Sequence, residues 1–170
     1  MEWMLMPLKR YAQFSGRARR KEYWMYTLLI IIASVICLVL DNMLGLNKIF
    51  GGSPGTPAAS QMGVLRLILT LGTFIPSLAV SVRRLHDTNR TGWWLLVFLV
   101  PYALGIALLA YGAATGQFGL LAIAGILSLI GFILAIVLLV FMCLPGTSGA
   151  NDYGPDPLDP SGAELGEVFS

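Results

Sequence analysis

Four long apolar runs separated by short polar stretches set the pattern of this 170-residue chain. Residues 23–44, 62–82, 93–111 and 120–144 each give, at ~1.5 Å of rise per residue, a helix close to or longer than the ~30 Å hydrocarbon core of a bilayer. The pattern predicts an all-α integral membrane protein, a four-helix up-and-down transmembrane bundle. It also divides the chain into three parts: a basic cytoplasmic or interfacial segment over 1–22, a membrane domain over 23–144, and an acidic Gly/Pro-rich cytoplasmic tail over 145–170.

Composition agrees. Apolar residues make up 56% and charged residues 12% of the chain, more apolar surface than a water-soluble domain of this size could bury. The polar opening is longer than a secretory n-region and no small-residue cleavage pattern follows the first run, so that run is expected to be a retained helix. Cys37 and Cys143 both lie inside apolar runs at different predicted depths, and no disulfide is expected. One histidine and no paired cysteines leave no metal-ligand spacing. No cofactor is called for.

Cations decide orientation. Six of them precede the first run and three lie between the second and third, against one (Lys48) in the loop at 45–61 and none in the turn at 112–119. Both termini are therefore expected in the cytoplasm. A dense basic cluster can also grip nucleic acid, but here the cations stop where an apolar helix begins, and nucleic acid is not an expected partner. The five acids of the tail face nine cations in the other cytoplasmic segments, which suggests a tail folded back as an electrostatic lid.

Within the runs, polar and small residues mark inward faces. Asp41 shares a heptad face with Thr27 and Ser34, and an antiparallel hairpin would bring it level with Arg66. An intramembrane charge pair is expected, with separate snorkelling as the alternative. Pro76 must free the carbonyl of Gly72. The stripes Ala103, Ala107, Ala110, Ala114 and Ala124, Ser128, Gly131, Ala135 share one spacing and predict a tight pairing of the last two helices. Thr91 is the predicted N-cap of the third. In the opening segment, Trp3, Met4, Leu5, Met6, Leu8 and Tyr11 beside Lys9 and Arg10 suit the headgroup layer, although Pro7 should interrupt a regular helix; an unstructured tail is the alternative.

Polar chemistry concentrates in three motifs expected on one membrane face. The first holds Arg17, Arg20 and Glu22 before Tyr23 and Trp24. The second holds Arg83, Arg84, His86, Asp87, Asn89 and Arg90 before Trp93 and Trp94. The third holds Asn151, Asp152 and Tyr153. The aromatics suit the interface, where amphipathic rings are favoured. Phe14-Ser15-Gly16-Arg17 with Arg20, Glu22, Tyr23 and Trp24, then Arg83-Arg84-Leu85-His86-Asp87 with Gly92-Trp93-Trp94, then Pro145-Gly146 and Asn151 with Tyr153-Gly154-Pro155-Asp156-Pro157 resemble three signatures of the bacterial inner-membrane family catalogued as domain of unknown function 805. The resemblance spans nearly the whole chain. It implies a small multi-spanning membrane protein and brings no activity or catalytic residue.

Three roles fit the convergent face. His86 beside Asp87 has the residue types of a general base and its orienter, but adjacent residues on a helix end rarely point at one another and no nucleophile accompanies them. No catalytic residue is assigned. A structural network would have Asp87 accept from Arg17, Arg20 or Arg84 while His86 ties the loop to a backbone carbonyl. Arginines beside interfacial aromatics also suit an anionic lipid headgroup or a docked protein partner, self-association included. The expected function is accordingly non-enzymatic lipid binding or docking. A small oligomeric transporter or channel is the alternative, followed by a lipid-modifying enzyme.

Overall fold

The computed structural model describes residues 2–48 and 63–159. Five α-helices follow one another: α1 (Glu2–Lys9), α2 (Arg20–Met43), α3 (Val64–Asp87), α4 (Trp94–Thr115) and α5 (Phe118–Cys143), with a 3-10 turn at Leu46–Lys48. Helices α2 to α5 are each long and apolar enough to cross a membrane. The chain is an all-α membrane protein with four spans, the class its hydropathy pattern predicts. Most of the predicted outer loop lies outside the described residues, as do Glu164 and Glu167.

Burial confirms which solvent this surface suits. Ile126 is 61% exposed and Leu71 65%, whereas Arg83 and Arg84 are at 0% and Asp41 at 1%. A water-soluble protein places these residue types the other way round. An apolar exterior over buried, partnered charges is the arrangement a hydrocarbon solvent demands.

The chain forms two compact units, one of Met1–Phe14 with Lys21–Val80 and the other of Ser15–Arg20 with Ser81–Ser170. In the second unit α4 and α5 make a tight hairpin. Gly116 ends α4 at φ 69°, and Gln117 donates its N–H back to the Gly112 carbonyl at 3.1 Å. That left-handed step is open to glycine at no steric cost. Gln117 then accepts from Leu120 and Leu121 to start α5, so two residues complete the reversal.

Glycines let the two backbones approach. A Cβ on Gly105 would lie 2.7 Å from the Ser128 hydroxyl, and one on Gly131 would lie 3.1 Å from the Cα of Tyr102. On α5 the predicted stripe does face its neighbour, with Ala124 and Gly131 buried. On α4 the prediction fails: Ala103, Ala107, Ala110 and Ala114 are exposed, and Gly105 and Gly112 form the seam instead. A seven-residue glycine repeat admits a nearer backbone than alanine does, and it displaces the alanine stripe from the contact.

Two helix ends also differ from expectation. Thr91 does not cap α4 with its hydroxyl. Trp93 is the N-cap, and a turn in which the carbonyls of Thr91, Gly92 and Trp93 accept from Trp94, Leu95 and Leu96 winds the helix up. Pro7 lies inside α1 rather than breaking it. The helix is short enough that proline removes only one bond, the one that would reach the Trp3 carbonyl.

Gly131→Leu should overpack this hairpin and cost ~1–3 kcal/mol in thermal unfolding in detergent. Ala107→Leu on the exposed stripe should stay within ~0.5 kcal/mol of the parent. Equal losses would mean that alanine, not glycine, forms the seam.

Candidate functional site

All three polar motifs send residues into the second compact unit, and they meet around the carboxylate of Asp87 at the end of α3. Its Oδ1 accepts from Arg17 Nε at 3.0 Å and its Oδ2 from Arg84 Nη1 at 2.5 Å. Arg84 sits three residues earlier on the same helix, a spacing that puts both side chains on one face. Both arginines and Asp87 are buried.

Neither guanidinium has a nitrogen to spare. Arg17 also donates through Nη1 to the Gly149 carbonyl at 2.6 Å and through Nη2 to that of Thr147 at 2.5 Å. Arg84 donates through Nε to the Met142 carbonyl at 3.2 Å and through Nη2 to that of Leu144. Arg20 reaches the intervening Cys143 carbonyl at 3.4 Å. Three consecutive carbonyls at the end of α5 thus accept from arginines, just where a helix leaves its last carbonyls unbonded and concentrates negative dipole charge. Pro145 fixes that end by forcing Leu144 into an extended conformation at ψ 151°.

The tail then folds against the end of α3. Thr147 donates its N–H to the Asp87 carbonyl at 2.8 Å and its hydroxyl to the same oxygen at 3.3 Å. Asn151 donates to the His86 carbonyl and to the Thr147 hydroxyl, both at 2.9 Å, while its own carbonyl accepts the Tyr153 N–H. His86 stacks on Tyr153 with centroids 3.9 Å apart and planes within 6°. Its Nδ1 lies 3.3 Å from the Gly16 carbonyl, which can only accept, so Nδ1 carries the proton. Gly146 passes so close to Asp87 that any Cβ there would overlap the carboxylate.

A scan of the chain against protein families matches residues 11–155 to the family described as "Protein of unknown function (DUF805)". The chain belongs to this family. Inner membrane protein YhaI of Escherichia coli K12 is 40% identical over 157 residues, which cover 92% of this chain and 96% of that protein. Inner membrane protein YhaH of the same strain is 38% identical, covering 92% and 97%. The uncharacterized protein YiiR is 28% identical over 86% of each chain. No solved structure matches. With four apolar spans, this DUF805 member is a multi-pass protein of the inner membrane.

The expected cytoplasmic lid takes a different form in this DUF805 chain. The tail is held chiefly through its backbone carbonyls and the Asn151 amide, because two buried guanidiniums share one carboxylate and their remaining donors need neutral acceptors. Among its acids, Asp156 turns inward on the tail itself, accepting the N–H groups of Leu158 at 2.8 Å and Gly149 at 3.0 Å. Those bonds, that to Leu158 foremost, hold its carboxyl below the usual range, with Arg17 and Arg19 adding to the effect.

Other predicted residues fall elsewhere. Asn89 is exposed at φ 56°. It closes α3, donating to the His86 carbonyl while Arg90 donates to that of Leu85, a helix end for which asparagine substitutes for glycine. Arg83 is buried, and its carbonyl accepts the Ala18 N–H at 3.0 Å. Asp152 is exposed at the tip of the turn that Asn151 and Gly154 close. Arg90 lies over the Phe141 ring at 4.0 Å, and Trp94 meets that ring edge-on at 5.2 Å. Trp93 is exposed. Glu22, Tyr23 and Trp24 belong to the first unit, where Glu22 is buried and the two rings pack edge to face.

Also in the first unit, Asp41 is a cap supplied from another helix. Its Oδ1 accepts from Leu65 N–H at 3.0 Å and its Oδ2 from Arg66 N–H at 3.1 Å, the second and third positions of α3. Gly63, whose carbonyl accepts from Leu67, is the N-cap residue and brings no side chain of its own. A Cβ on Gly63 would overlap the Asp41 carboxylate. Asp41 therefore meets Arg66 through the backbone, in the place a capping side chain would occupy. On the same helix, the Gly72 carbonyl freed by Pro76 accepts the Tyr11 hydroxyl at 2.9 Å.

Thr147, Gly146 and Gly149 lie outside the expected polar cluster, and Tyr11, expected in the headgroup layer, bonds the Gly72 carbonyl. Thr147 and Gly149 act mainly through backbone groups, and Tyr11 binds a carbonyl, contacts without a side-chain signature. Gly146 alone had a signal, the Pro-Gly step after an apolar run.

Asp87→Ala should leave two buried guanidiniums uncompensated and cost ~3–5 kcal/mol of thermal stability. Arg17→Lys should release the tail to limited proteolysis with helical circular dichroism unchanged, since an ammonium cannot hold Asp87, Thr147 and Gly149 together. A tail as resistant as the parent's would remove Arg17 from the clamp. Asp41→Ala should cost ~0.5–2 kcal/mol, and Asp41→Asn, which keeps one acceptor oxygen, should recover part of it.

Proposed function

We propose that this DUF805 member is a non-enzymatic protein that binds anionic phospholipid at the cytoplasmic face of the inner membrane, with both termini in the cytoplasm. One contrast carries the reading. Arg17, Arg83 and Arg84 are buried, whereas Lys9, Arg10, Arg20 and Lys21 are exposed. The exposed apolar groups Leu5, Leu8, Tyr11 and Phe14 are interleaved along the same opening segment. A basic segment with apolar side chains between its charges suits an anionic bilayer surface, where each cation contributes roughly 1 kcal/mol.

The non-enzymatic part is supported by the condition of the only histidine. Its Nδ1 is bonded to the Gly16 carbonyl and its ring face is covered by Tyr153, while the carboxylate of Asp87 is held by two arginines. A base and orienter tied to separate partners are not aimed at a common substrate.

In nanodiscs, wild-type protein should enrich phosphatidylglycerol over phosphatidylcholine in its retained lipid, and high salt should weaken the preference. Retention in proportion to the bulk mixture would overturn the reading. A cysteine placed at Asn89 or Asp156 in a background lacking Cys37 and Cys143 should react with an impermeant maleimide only from the cytoplasmic side.

A further inference from the structure

Arg90 contrasts with the two arginines that hold Asp87. In Arg17 and Arg84 every nitrogen donates to an internal acceptor. Arg90, half-buried in the turn between α3 and α4, donates only Nη1, to the Thr88 carbonyl at 3.3 Å. Among the described residues nothing accepts from its Nε or Nη2, nor from the indole N–H of Trp93 or Trp94. Its guanidinium is nevertheless held in place over the face of Phe141, 4.0 Å from the centroid, and that ring also packs edge to face with Trp94.

We infer that Arg90, Trp93 and Trp94 form a binding site for a phosphate ester, the phosphodiester of an anionic phospholipid, beside the first turn of α4. A planar guanidinium with two free donor nitrogens matches two phosphate oxygens in a way an ammonium does not. Stacking on Phe141 fixes its plane without occupying those donors, so little side-chain freedom is lost when the anion arrives. Trp93, 72% exposed, supplies a further N–H and a ring suited to the headgroup layer. Beyond it Leu96, Val97 and Val100 are exposed along α4 and give acyl chains an apolar surface. A soluble phosphate would use the donors and leave that surface uncovered, which favours a lipid. The inference rests on the lipid-binding reading above and assigns its site.

The test compares wild type, Arg90→Gln, Arg90→Lys and Trp93→Phe by native mass spectrometry after extraction from nanodiscs containing phosphatidylglycerol. Loss of a charge-assisted contact in Arg90→Gln should weaken retention roughly tenfold. Arg90→Lys should restore only part of it, and Trp93→Phe, at a side chain 72% exposed, should weaken it by roughly two- to fivefold at unchanged melting temperature. A second arm titrates inorganic phosphate and glycerol phosphate in detergent: weak binding lost in Arg90→Gln supports the site with a lipid as its occupant, and binding as tight as that of the lipid overturns the lipid assignment. Wild-type retention that persists in both Arg90→Gln and Trp93→Phe overturns the site while the broader reading stands. Absence of any preference in wild type overturns both.

Discussion

A single carboxylate shared between two buried guanidiniums governs this architecture. Ions removed from water cost several kcal/mol each, and a pair recovers that only where the remaining donors also find acceptors. Asp87 balances one positive charge of two, so Arg17 and Arg84 must direct their other nitrogens at neutral oxygens. The second unit offers such oxygens at the end of α5, where helix geometry leaves carbonyls unbonded, and in the tail. The fold of residues 142–151 follows from that need. Pro145 ends the helix with its last carbonyls presented, Gly146 slips past Asp87 where no side chain fits, and Thr147 and Gly149 turn their carbonyls toward Arg17.

The same accounting explains features far from the knot. In hydrocarbon a backbone group left unbonded has no water to fall back on, so each irregularity in a helix calls for a partner supplied from elsewhere. Pro76 frees the Gly72 carbonyl, and Tyr11 meets it. The start of α3 has glycine as its N-cap residue, and Asp41 from α2 takes the place of the missing side chain. In both cases a local deficit in α3 becomes a tertiary contact. The identity of the partner residue, a donor in Tyr11 and an acceptor in Asp41, is then constrained as firmly as a core position, although neither contact involves apolar packing.

This division explains how much was legible in the sequence. Helices of about twenty apolar residues announce themselves because lipid thickness sets their length. The side chains of the knot were legible too, since a carboxylate among arginines in an apolar chain has few other fates. Their acceptors were not: a carbonyl of Met142, Leu144 or Gly149 looks like any other until the chain turns. The α4 seam was misread for a related reason. Alanine and glycine are both small, but only glycine lets backbones come within about 3 Å of where a side chain would start, and the spacing of Gly105 and Gly112 was hidden by a more frequent alanine. Thr91 has the residue type of a cap, but its carbonyl rather than its hydroxyl enters the turn.

Residue type also hides the distinction that bears most on function. Arg84 and Arg90 lie six residues apart in one motif and look equivalent in the sequence, yet one has every nitrogen bonded to its own chain and the other has two with no acceptor among the described residues. Their surroundings follow from their places on α3. Arg84 is on the last helical turn and faces the end of α5, whereas Arg90 comes after the left-handed step at Asn89, which ends the helix and redirects the chain. An asparagine that sets backbone direction thereby separates a cation that holds the protein together from one available to something else. The site we propose at Arg90 depends on its guanidinium being pinned against Phe141. A mobile arginine with unbonded nitrogens would be an ordinary solvated charge.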